Sequence, residues 1–175
     1  HNMDTNSEMH THSNFYAMLT AACQKNSKGT VIFNDKEKIS YSSLKREVET
    51  VAAYLQHQGV QYGYRVALVV SNSPEFIAAY FAITSIGAVA VPLNVFLKSE
   101  EFSYILNDCD ARFMFASAPL AKELKNIKAK TKVRKIIWIG ETKAASGEDS
   151  YFDAARTFPC KPNLSRQPSV NDLAH

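Results

Sequence analysis

At 175 residues the chain has the length of one ordinary domain, and a composition of 46% hydrophobic and 21% charged residues excludes a disordered or collagen-like polymer. A formal net charge of +3 is too mild to call for a polyanionic partner, so the charge does not point to nucleic acid. Cys23, Cys109 and Cys160 are odd in number, far apart and without a CxxC pair, which argues against a disulfide framework or a zinc site and for a reducing, cytoplasmic setting.

The first residues, 1–13, are polar and aperiodic. His1 and Asn2 precede Met3 and read as the remnant of a tag, and His10 and His12 carry no metal-binding role. Phe15, Met18, Leu19 and Ala22 recur at helical spacing and predict a short amphipathic helix that ends before Lys28-Gly29. Thr30–Phe33 and Lys38–Tyr41 are β-rich runs on either side of Asn34-Asp35-Lys36-Glu37, a hairpin pattern. Ser42 is placed to cap a helix with Leu44, Val48, Val51, Ala52 and Leu55 in one stripe, and Gly59 stands where a left-handed C-terminal cap belongs.

Val66–Val70 is an unbroken aliphatic run, the pattern of a parallel strand covered on both faces. Ser73-Pro74-Glu75 supplies a cap, a first-turn proline and a first-turn acid for a helix through Phe76, Ile77, Tyr80, Phe81, Ile83 and Ile86 to Gly87. Further strands are expected at Ala88–Val91, Arg112–Ala116 and Lys135–Ile139. Further helices are expected after Ser99-Glu100-Glu101, along Leu120, Leu124 and Ile127, and over Tyr151–Thr157. Strands alternating with helices of this length predict an α/β fold in three layers, a mostly parallel sheet between helices with a small N-terminal β-hairpin. Three prolines between Pro159 and Pro168 predict a surface linker over 159–175, leaving 14–158 as the folded unit.

Open parallel sheets bind ligands beyond the C-terminal ends of their strands, and nucleotide-binding versions place a glycine-rich turn there to cradle phosphate. The six glycines, at 29, 59, 63, 87, 140 and 147, form neither GxGxxG nor GxxxxGK[ST]. No GxSxG elbow is present, Cys109 has no base beside it in sequence, and His57 at a helix end reads as a partner of the helix dipole. Seven basic residues from Lys122 to Lys135 read as a solvated helix face, because no aromatic side chain is interleaved for stacking. The residues themselves thus nominate no catalytic, cofactor-binding or metal-binding side chain.

The order of short runs says more. Ile39-Ser-Tyr41-Ser-Ser-Leu44, Gly59-Val60, Gly63-Tyr64-Arg65-Val66-Ala67-Leu68, Asn72-Ser73-Pro74-Glu75-Phe76, Gly87-Ala88-Val89-Ala90-Val91-Pro92-Leu93-Asn94 and Tyr104-Ile-Leu-Asn-Asp108 follow one another as they do in AMP-forming acyl-CoA synthetases. The chain resembles the N-terminal part of the larger adenylate-forming domain of these enzymes, the superfamily that includes peptide-synthetase adenylation domains and beetle luciferases. Tyr64 departs from the pattern, since the family commonly carries an acid there. The resemblance runs, more weakly, to Asn171-Asp172-Leu173-Ala174, which in the family leads into the phosphate-binding loop.

The resemblance implies ATP-dependent adenylation of a carboxylic acid, most naturally a fatty acid, followed by thioester formation with CoA. ATP, Mg²⁺ and CoA are implied for the full-length enzyme, none for this segment, which is expected to be inactive alone. It also implies that Pro92–Lys98, beyond a strand end, faces the acyl and CoA pathways. Two alternatives stay open, a peptide-synthetase type of adenylation domain and a non-catalytic α/β module that binds an acidic partner. No apolar run is long enough for a membrane span, and contact with a membrane surface is left open.

Overall fold

A computed structural model describes residues 20–21, 24–25, 28–32, 37–140 and 148–164. The expected helix on Phe15, Met18, Leu19 and Ala22, the hairpin tip, Cys23 and the run Asn171–Ala174 lie outside the described residues. Strand β1 (Thr30–Ile32) pairs antiparallel with β2 (Lys38–Ser40), with Val31 opposite Ile39. Helix α1 (Tyr41–His57) follows directly. Its cap is Ser40, two residues before the expected Ser42: the extended backbone of Ser40 lets its Oγ accept from the Ser43 amide at 3.2 Å. Gly59, at φ 96°, closes the helix as expected, in a conformation that glycine adopts without strain.

Five strands form one parallel sheet: β3 (Arg65–Val69), β4 (Val89–Pro92), β5 (Phe113–Ser117), β6 (Lys135–Ile139) and β7 (Asp149–Ser150), in the order β4-β3-β5-β6-β7. Helix α2 (Pro74–Ser85) links β3 to β4, α3 (Ser99–Asp108) links β4 to β5, and the short α4 (Ile127–Lys130) precedes β6. Alternate strand residues divide the core. Val66, Leu68, Phe113, Phe115 and Ile137 face α1 and α2, whereas Ala67, Val69, Met114, Ala116 and Trp138 face α3 and the segment around Leu124 and Ile127. The chain moves one way along the sheet through α2 and the other way through α3 and α4, so a single crossover handedness puts these helices on opposite faces. Leu44, Val48, Ala78 and Phe81 form a third cluster, which Val31 and Ile39 of the hairpin cover from outside.

Three further details differ from expectation. The segment carrying Leu120, Leu124 and Ile127 is not one helix but a 3₁₀ turn at Ala118–Leu120, a run of turns and then α4. Bonds of the i→i+3 kind close it, Ala121 to Ala118 at 3.1 Å and Ile127 to Leu124 at 3.1 Å, yet Leu124 and Ile127 are still buried. Glu123 is held instead by Ser99, whose hydroxyl donates to the Glu123 carbonyl at 2.7 Å, so Ser99 is the first residue of α3 and Lys98 its cap. Tyr151–Ala155 is one turn of π-helix rather than a helix to Thr157, and the two-residue strand β7 before it carries no apolar signal of its own.

Candidate functional site

The strand order has a topological switch at β3, whose successors lie on opposite sides of it, so the loops after β3 and β5 turn to opposite faces at the C-terminal edge, the point where open parallel sheets have their ligand crevice. After β3, Ser71 and Asn72 are exposed, and Ser73 turns its Oγ to the Phe76 amide at 3.1 Å to cap α2. After β4, the Leu93 amide donates to the Leu68 carbonyl at 2.8 Å and extends the pairing, while Asn94 Oδ1 accepts from the Phe96 amide at 2.8 Å. Leu93, Val95 and Leu97 pack inward, which leaves Phe96 85% exposed at the rim. After β6, Gly140 at φ 116° would place a Cβ 3.2 Å from the Ala118 Cβ, so the loops after β5 and β6 meet there.

Among the described residues, the helix starts at this edge already carry their own caps and acids. The α2 N-terminus has an amide already capped by Ser73 and an acid, Glu75, in its first turn, and the α3 N-terminus carries Glu100 and Glu101 in its first turn. Among the described residues, no group of three or more His, Cys, Asp or Glu side chains converges as a metal site needs.

One polar cluster was not visible in the sequence. Glu47 of α1 pairs with Arg156, Nε to Oε1 at 3.2 Å, and lies electrostatically beside Glu75 and the buried phenol of Tyr151. Burial raises the Glu47 carboxyl above its ordinary range, Arg156 works against that rise, and Glu75 adds to it; burial also pushes the Tyr151 phenol well up. Three separate elements, α1, α2 and the turn that begins at Tyr151, build the cluster, so only the fold brings it together. A carboxyl whose folded pKa lies above its unfolded value of 4.5 contributes stability below that pH and loses it as the pH rises through the folded value. Glu47→Gln should therefore gain in melting temperature relative to the parent as the pH is raised from about 4.5 to 7. A difference that is flat or falls with pH in parallel thermal melts would contradict this.

The singled-out residues are dispersed. Cys109 caps α3 and its Sγ rests 3.7 Å from the Leu106 carbonyl, with no base described beside it; Cys160 is exposed. His57 ends α1 with its ring 5.1 Å from that of Phe158. Lys122, Lys125 and Lys128 are exposed, and Lys128 pairs with Glu148 at 2.7 Å. Tyr64, the departure from the family pattern, lies under the Arg112 guanidinium, 5.1 Å from its ring centre, so a cation–π contact occupies the position of the usual acid.

Comparison with known proteins covers almost the whole chain. A model of the family described as AMP-binding enzyme matches residues 19–175. The crotonobetaine/carnitine–CoA ligase of Salmonella typhi is 35% identical over 132 residues, 71% of this chain and 25% of that protein. The corresponding ligase of Salmonella arizonae is 36% identical over 115 residues. Among solved structures, the anthranilate CoA ligase AuaEII in complex with anthranoyl-AMP superposes with a TM-score of 0.80 at 26% identity, covering 90% of this chain and 30% of that one. A long-chain-fatty-acid-CoA ligase from Archaeoglobus fulgidus gives a TM-score of 0.76 at 21% identity, a likeness of fold, covering 87% of this chain and 32% of its own. The chain thus spans about a quarter of the length of the curated relatives it matches.

Proposed function

The chain belongs to the AMP-binding enzyme family, and from that premise we propose that it is the N-terminal part of an AMP-forming acyl-CoA ligase. The observation that carries the reading is the collinear match of residues 19–175 to the family model. CoA ligases among the relatives and structural neighbours support it. In the first step a carboxylate attacks the α-phosphate of ATP, forming the acyl–phosphate bond of an acyl-adenylate and releasing pyrophosphate. In the second the CoA thiol, giving up its proton, attacks the acyl carbon, and AMP leaves. On this reading the described part of the protein is scaffold and wall, and the groups that bind and activate ATP lie elsewhere in the full-length enzyme. No helix among the described residues is long and apolar enough to cross a membrane, and a cytoplasmic enzyme is the setting this reading takes.

The full-length protein should convert ATP, Mg²⁺ and a carboxylic acid to AMP and pyrophosphate, and with CoA to a thioester. Absence of ATP turnover with every acid of a broad panel would overturn the reading.

The loop from Pro92 to Lys98 is the segment proposed to border the CoA pathway. Its Phe96 is exposed and its Lys98 side chain, 77% exposed, stands 4.0 Å from Glu123, too loosely held to be a structural ion pair. In the full-length enzyme Lys98→Ala should raise the KM for CoA by roughly two- to fivefold at nearly unchanged kcat, the effect of one exposed charge on a phosphorylated ligand. Unchanged kinetics for both CoA and acid would remove this loop from the pathway.

A further inference from the structure

The segment after the π-turn is fastened to α1 rather than merely lying over it. Arg156 pairs with Glu47 toward the middle of that helix, Phe158 rests on the rings of Tyr54 and His57 near its end, and Asn163 reaches Gln56. The last contact is a two-point clamp: Gln56 Nε2 donates to the Asn163 carbonyl at 2.7 Å, and the Asn163 amide donates to Gln56 Oε1 at 2.8 Å. A side-chain amide thereby satisfies both backbone groups of one residue, as a neighbouring strand would. Leu164 then packs against the core beside α1.

The position of the clamp gives it consequence. The end of α1 stands beside the strand starts, because Tyr54 donates to Asp149 at the start of β7 and Lys135, at the start of β6, donates to Gln58 at 2.8 Å. Residues 156–164 therefore carry the chain from the middle of α1 back to the N-terminal edge of the sheet. The chain beyond residue 164 thus departs from that edge, opposite the C-terminal edge where open parallel sheets bind their ligands.

We propose that Gln56 is a positioning residue, whose clamp on the Asn163 backbone fixes where the chain leaves this subdomain and so sets the placement of the nucleotide-binding part that follows. This rests on the ligase reading above. Gln56 itself lies near the end of α1, beside the strand starts and so across the sheet from its C-terminal edge.

The test uses the full-length protein with Gln56→Ala and Gln56→Glu, the latter keeping the acceptor for the Asn163 amide and losing the donor. Hydrogen exchange at Asn163 should quicken roughly tenfold in Gln56→Ala and less in Gln56→Glu, with melting temperatures close to the parent. The KM for ATP should rise roughly three- to tenfold in Gln56→Ala, the KM for the acid much less, and Gln56→Glu should recover part of the loss. Unchanged exchange would show that the clamp is not made in solution, and faster exchange with an unchanged KM for ATP would reduce it to a local fastening; either overturns the proposal. A parent protein that consumes no ATP with any acid overturns the ligase reading itself, a failure recognisable before any variant is compared.

Discussion

Phe115→Ala should destabilise the fold more than any other single truncation considered for this chain. Phe115 is fully buried in β5, the middle strand of the sheet, and packs edge to face on the fully buried Tyr151 with ring centres 6.1 Å apart. Its removal forfeits the transfer energy of a large apolar group and leaves a cavity that the sheet backbone on one side and α1 and α2 on the other cannot close. The expected loss is about 3–5 kcal/mol, a large part of the 5–15 kcal/mol typical of whole domains. In a thermal melt the midpoint should fall by roughly 10 °C or more. Phe96→Ala removes the same ring from a position 85% exposed and should move the midpoint by no more than a degree or two. Equal effects of the two substitutions would mean that β5 is not central.

The strand layers were legible because burial on both faces leaves a plain mark. Val66–Val70, Arg112–Ala116 and Lys135–Ile139 read as strands, and the fold keeps all three, with the first two shifted by one residue. Such a shift is invisible to hydrophobicity: exposed Arg65 joins the ladder through its backbone, opposite Val89. Ser73-Pro74-Glu75 was read correctly because capping chemistry is local.

What stayed hidden was made by distant partners. Strand β7 is Asp149-Ser150, two polar residues that become a strand only because Tyr54 and Lys135 hold Asp149 and β6 offers a free edge. Leu120, Leu124 and Ile127 gave a true inward stripe but a false continuous helix, since turns with the same side facing in present the same pattern. The Glu47 cluster and the Gln56–Asn163 clamp join residues about a hundred positions apart, and nothing in either neighbourhood announces the other. The absence of a glycine-rich turn could be read directly from the sequence, and at the described C-terminal edge the start of α2 is capped by Ser73 and bears Glu75.

That edge leads to the second large effect, a division of activity between the part and the whole. If this chain is scaffold for a ligase, the chemistry that neutralises the crowded charge of the adenylation step is not within its crevice, and binding without those groups gives no acceleration. Pyrophosphate release from ATP and Mg²⁺ should therefore be measured over a panel of carboxylic acids, with the 175-residue chain beside the full-length protein at equal concentration. The expected result is release by the full-length protein with at least one acid, thioester formation when CoA is added, and a rate for the 175-residue chain indistinguishable from buffer. Release of pyrophosphate by the 175-residue chain alone, or none from the full-length protein with any acid, would contradict it.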